Sequence, residues 1–170
     1  MSEATQIDPK SAVEAGLAQL ELSRNFMLPF LEATSDEDYF ATPIEQFHNI
    51  NYIVGHIVYA ELHFTQLSGG PEANWPEGTK AFDFGLEFDP SYRPISREEV
   101  MAKLTESRER LVKHFRTLTD EQLLAPLPDE YEKFAPNVLS ILGLLSWHES
   151  MHTGQITAIR RALGHKPLFG

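Results

Sequence analysis

Four stretches of this 170-residue chain repeat their apolar residues every three or four positions, and none of comparable length alternates apolar with polar. That rhythm builds helices with one apolar face and leaves little chain for a sheet. The first stretch opens with Asp8 as N-cap and Pro9 at the first helical position, where a missing N–H costs nothing. Val13, Leu17, Leu20, Phe26 and Phe30 form its stripe to about Leu31, with Pro29 bending or ending the last turn. The second runs from Asn49 to Leu67 with Ile53, Ile57, Ala60, Phe64 and Leu67 on its stripe, until Gly69-Gly70-Pro71 stops it. Thr42-Pro43-Ile44-Glu45 is a competing capping box upstream, and Asn49 is the preferred start.

The third helix begins with the capping box Ser96-Arg97-Glu98-Glu99, buries Val100, Leu104, Leu111 and Phe115, and reaches about Arg116. Thr119-Asp120-Glu121-Gln122 repeats that signal for one short turn before a proline-rich loop over 125–136. The fourth spans Asn137 to Leu163 and ends at Gly164, with Arg160 and Arg161 suited to the negative end of its dipole. Four helices with a long crossover over 69–95, between the second and third, predict an all-α four-helix bundle in a single domain, 1–170. The crossover carries Trp75, Phe82, Phe84, Phe88 and Tyr92. These aromatics are expected to pack on the domain and seal one end of the core, and the crossover is the natural wall of a substrate pocket.

Charge narrows the function. Fourteen Lys and Arg against 25 Asp and Glu give a net charge of −11, which repels nucleic-acid backbones and anionic membranes alike. With no cysteine, disulfides, thiolate nucleophiles and Cys-ligated metal are excluded. The longest apolar run, Val138 to Trp147, is half of the roughly 20 residues a spanning helix takes. MSEATQIDPK is polar and lacks the pattern of a signal peptide, so a cytoplasmic location is expected.

Any metal must therefore be held by nitrogen and oxygen. Ile141, Leu145, His148, His152, Ile156, Ile159 and Leu163 follow a seam spaced 4, 3, 4, 4, 3 and 4, with two histidines where Leu or Ile would be ordinary. Four residues apart, His148 and His152 stack on one face within reach of one ion. On the second helix His56 and His63 share a stripe but lie about 10.5 Å apart along the axis, too far to share an ion. His56, mid-helix, is the chosen third ligand; His48 is the alternative, while His63, His114 and His165 read as more solvated. Glu149 points about 100° away from His148, which makes it a weak candidate base beside the reading as a surface carboxylate or a salt bridge to the third helix. Gln155 lies on the metal side, and Gly154 is expected to allow a close helix contact.

The stretch WHESMHTGQITAIRRALG, Trp147 to Gly164, resembles the last helix of the DinB/YfiT-like superfamily of metalloenzymes, and NYIVGHIVYAEL, Asn51 to Leu62, resembles its second-helix segment. The resemblance implies a bundle with an up-down-down-up path and a divalent ion (zinc, nickel or iron) on His56, His148 and His152. It implies a homodimer and thiol-dependent S-transfer or isomerisation with a low-molecular-weight thiol; a three-histidine ion can equally generate hydroxide for hydrolysis of a small-molecule substrate. The rival expectation is a non-catalytic, metal-stabilised bundle serving as a stress-related scaffold or binding module. An open coordination position beside a pocket favours the enzyme, and a fourth protein ligand favours the scaffold.

Overall fold

The computed structural model describes residues 8–72, 82–83 and 95–169. Four long helices dominate it: α1 (Pro9–Glu32), α3 (Ile50–Leu67), α4 (Arg97–Thr117) and α6 (Ser140–Ala162), with short helices α2 (Asp36–Tyr39) and α5 (Asp120–Leu124) between them. The start signals act as the sequence suggests. Asp8, Asn49 and Ser96 accept from the backbone N–H groups of Ser11, Tyr52 and Glu99, and Thr119 and Gln122 complete a reciprocal capping box on α5. Gly164 adopts φ +89°, the left-handed conformation that closes α6.

α1 ends at Glu32 with Pro29 in its last turn, in line with expectation. Three details differ. α2 is an unforeseen turn capped by Ser35. α6 begins at Ser140 rather than Asn137, because the amides of Val138 and Leu139 bond back to the carbonyls of Ala125 (3.1 Å) and Leu123 (2.9 Å). Phe26 is 52% exposed: Arg24 and Met27 occupy the inward positions of α1, and the Phe26 ring meets only the edge of Phe169 among the described aromatic rings.

α1 packs chiefly on α6, and α3 on α4, with α3 also touching α6. The apolar core has two halves. One gathers Met27, Ile53, Ile57, Leu104, Ile156 and Ile159; the other gathers Leu17, Leu20, Phe64, Leu111, Phe115, Ile141 and Leu145. Residue numbers rise from the second half toward the first along α1 and α6, and the opposite way along α3 and α4, so these two pairs run antiparallel to each other.

Buried charge lies between the halves. Arg24 (α1) donates to Glu61 (α3) at 2.9 Å and to Glu149 (α6), while Arg108 (α4) donates to Glu61 at 2.8 Å and to Glu149 at 2.8 Å. The Nη1 atoms of Arg24 and Arg108 donate to the carbonyls of Leu104 and Leu20, both at 2.8 Å, and Ser107 donates to Glu61. Arg160, expected to serve the helix dipole, is also buried and reaches the carbonyl of Phe30 at 3.2 Å. No described helix is long and apolar enough to cross a membrane.

Candidate metal centre

His56 comes from the middle of α3, and His148 and His152 from successive turns of α6. The heptad-like seam of α6 turns both rings inward, as its spacing predicts, and the α3–α6 contact brings His56 against them. The Nε2 atoms of His56 and His148 are 3.1 Å apart, and those of His148 and His152 are 3.0 Å apart. All three residues offer ligand atoms within 4.8 Å of one another. A tetrahedral ion with nitrogen ligands at about 2.0–2.1 Å holds them about 3.3 Å from one another, close to the observed spacing.

The outer ring nitrogens settle which atoms face inward. His56 donates from Nδ1 to the carbonyl of Phe82 at 2.8 Å, and His152 donates from Nδ1 to Oε1 of Gln155 at 2.7 Å. A neutral imidazole has one N–H, so both of these Nε2 atoms present lone pairs toward His148. The His148 Nε2–H could satisfy one of them but not both. A cation satisfies all three, and the outer hydrogen bonds are of the kind that orient metal-bound histidines. The donor set therefore fits a divalent ion.

Burial reinforces neutrality. It is the main influence lowering His148 to about 3 and His152 to about 4. Neighbouring imidazoles lower both further, while the Gln155 bond partly opposes the shift at His152. His56 is lowered in the same way, with the Phe82 carbonyl opposing. Rings that resist protonation are available as ligands at neutral pH.

One side of the cluster opens into a pocket of about 510 Å³ whose walls are mainly apolar, with Phe64, Phe134, Leu144, Trp147 and Met151 among them. The proline-rich segment and α6 supply most of this wall. Of the crossover, Phe82 is described: it is fully buried and closes the core against Gly55, where a Cβ would come within 2.5 Å of its ring. Trp75, Phe84, Phe88 and Tyr92 lie outside the described residues.

The other candidates fall elsewhere. His48 stacks on Tyr52 with ring centroids 3.6 Å apart and stays outside the three-histidine group. His63 bonds the hydroxyl of Tyr131 at 2.8 Å. His114 and His165 are not simply solvated: both are half-buried, on Ser68 Oγ at 3.0 Å and Asp38 at 2.9 Å. Glu149 forms the expected ion pair to Arg108, but is held in the interior between two guanidinium groups and is no general base. Gly154 makes no close helix contact, since a Cβ there would meet nothing within 4 Å. The helix seams carried no sign of Phe82 as the His56 partner, because the contact is a backbone carbonyl from the crossover. Gln155 lies on the metal side as expected, and its side chain meets His152 itself.

A bundle whose interior histidines converge on one point beside an apolar pocket has the arrangement in which helical proteins build metal sites between facing helices. The chain belongs to the DinB superfamily, whose family model matches residues 19–156. Its fold is similar to that of YfiT from Bacillus subtilis, described as a probable metal-dependent hydrolase with an unusual four-helix bundle topology. That likeness has a TM-score of 0.64 at 22% identity and covers 98% of this chain and 95% of YfiT. A search of the curated proteins finds no match.

Proposed function

We propose that this protein is a divalent-metal-dependent hydrolase of small molecules, with His56, His148 and His152 as the metal ligands. The observation that carries the reading is the convergence of three Nε2 atoms whose tautomers, at His56 and His152, are fixed from outside, on the side of the cluster that meets the pocket. Zinc, nickel or iron suits such an imidazole set. When bound with an open position, the ion polarises a carbonyl and lowers the pKa of its water to about 7. Among the described residues the ligand group stops at three, which favours catalysis over a closed structural site serving a scaffold.

The chain's own residues divide the remaining work. Gln155 and the Phe82 carbonyl hold two imidazoles in orientation, and the walls around Phe64 and Trp147 seat an apolar group while excluding water. Thiol-dependent S-transfer at the same ion would need a low-molecular-weight thiol from outside, since the chain has no cysteine. The described pocket walls carry no Lys or Arg to meet an anionic thiol, so hydrolysis is preferred. The proposal extends to a homodimer in the cytoplasm, which sedimentation and cell fractionation test.

Elemental analysis of untagged protein should find about one divalent ion per chain, lost in His148→Ala and His152→Ala. The metal-loaded protein should then hydrolyse members of a panel of esters and amides in a His56-dependent way. Turnover confined to thiols with electrophiles would move the reading to S-transfer, and retention of metal by both alanine variants would defeat the site assignment.

A further inference from the structure

The pocket has a second polar end that the metal ligands do not explain. Tyr131, from the loop between α5 and α6, lines the same pocket as His56, His148 and His152. Its hydroxyl is held by Nε2 of His63 at 2.8 Å, and its ring stands edge-on to Phe64 with centroids 5.4 Å apart. His63 is itself packed, stacked on Tyr59 at 5.9 Å with the rings 17° from parallel. It lies two helical turns beyond His56, about 10.5 Å along the axis of α3. The phenol oxygen lies beside both the His63 imidazole and the Glu130 carboxylate, and with one O–H and two lone pairs it keeps one lone pair to accept from a ligand hydroxyl. Between the two ends the walls are Phe64, Phe134, Leu144, Leu145, Trp147 and Met151, and the one charged side chain on the described walls apart from the histidines is Glu130, an anion. The volume of about 510 Å³ is that of a pocket for a drug-sized molecule.

We propose that this pocket selects an uncharged, apolar-bodied substrate with a second polar group about 10 Å from the reacting carbonyl, read by the Tyr131 hydroxyl, with His63 as the residue that positions it. The inference deepens the hydrolase reading and rests on it for the identity of the reacting group. The hydrogen-bonding preference, however, can be measured without turnover. A neutral body is selected because burying an anion beside Glu130 on a chain of net charge −11 gains no compensating cation there.

The test uses the full-length protein and the neutral dye N-phenyl-1-naphthylamine, displaced by octanamide, 8-hydroxyoctanamide or the anionic 7-carbamoylheptanoate. An eight-carbon chain sets its terminal group about 10 Å from the carbonyl. Wild-type protein should bind the hydroxy amide about fivefold more tightly than octanamide, the size of one net hydrogen bond, and the anion most weakly. Tyr131→Phe, which keeps the ring, should erase the hydroxyl preference and leave octanamide binding unchanged. His63→Ala should reduce the preference and His63→Gln should restore part of it. The matching p-nitrophenyl esters should show the same preference in KM with kcat little changed. Equal binding of the two amides to wild type, or an equal loss of both in Tyr131→Phe, would overturn the proposal. Failure of the dye and of all three amides to bind would overturn it too. Selective amide binding without any ester hydrolysis would uphold the pocket assignment and defeat the hydrolase reading instead.

Discussion

Two polar clusters share the middle of this bundle, and they solve the problem of burial in opposite ways. The quartet of Arg24, Glu61, Arg108 and Glu149 holds two positive and two negative charges, each bonded to both opposite partners. It is complete in itself. The histidine cluster aims the Nε2 lone pairs of His56 and His152 at a third Nε2. Under the proposed function a divalent cation completes it. Two residues adjacent in sequence, His148 and Glu149, belong to different clusters because neighbours on a helix point about 100° apart. A buried polar group with its partners in the chain is architecture, whereas two lone pairs that share one N–H leave room for a ligand.

The comparison can be broken most forcefully from the quartet. Glu149→Ala leaves two buried guanidinium groups short of a partner, and should cost about 3–5 kcal/mol in denaturant unfolding. A loss below about 1 kcal/mol would show that water replaces the carboxylate and that the quartet is no closed unit.

Metal supplies the next effect. At a free zinc concentration 100 times the dissociation constant, binding should add about 2.7 kcal/mol of stability. This should raise the melting temperature by roughly 5–10 °C for a domain of this size. A chelator should reverse the gain, and His152→Ala should show neither change. Equal melting with and without chelator at neutral pH would remove any contribution of an ion to stability.

Acid sharpens the contrast. In the metal-free protein His148 and His152 have folded pKa values of about 3 and about 4, below the ordinary 6.5 of an unfolded chain. The unfolded state therefore takes up more protons below pH 6.5, and stability should fall from there until about pH 4 to 3. Melting curves across that range check the slope, and replacing both rings with Gln should flatten it. A slope untouched by the double replacement would assign the acid sensitivity to other groups.

Smaller effects test the support. Gln155→Ala frees the outer nitrogen of His152 and should weaken metal binding about 10–100-fold without unfolding the protein. Smallest of all, His148→Ala in metal-free protein should cost about 1 kcal/mol, the size of the one hydrogen bond its Nε2–H can give to the two facing nitrogens. A loss rivalling that of Glu149→Ala would make the histidines as structural as the quartet.

The helices were legible because their caps and stripes are local: Asp8, Asn49, Ser96 and Thr119 start them, and Val13, Ile57, Leu111 and Ile156 face inward. The α6 histidines were legible for the same reason, sitting on a seam of Leu and Ile. The quartet was also written in the spacing. Leu20-Arg24-Met27, Ile57-Glu61-Phe64, Leu104-Arg108-Leu111 and Leu145-Glu149-His152 each step by 4 and 3, so every charge occupies an apolar slot of its helix. Reading charged residues as surface by default hid a set whose signs sum to zero, and placed Phe26 inward in place of Arg24. Tyr131 and the Phe82 carbonyl were out of reach, because a loop residue 68 positions from His63 and a backbone oxygen 26 positions from His56 leave no periodic trace.

The Phe82 contact has an evolutionary consequence. His56 is oriented by a main-chain oxygen, which every amino acid provides, so the letter at 82 can drift toward any residue that fills the space over Gly55. What the site constrains there is the path of the crossover. Insertions or deletions near that point would shift the carbonyl off the imidazole.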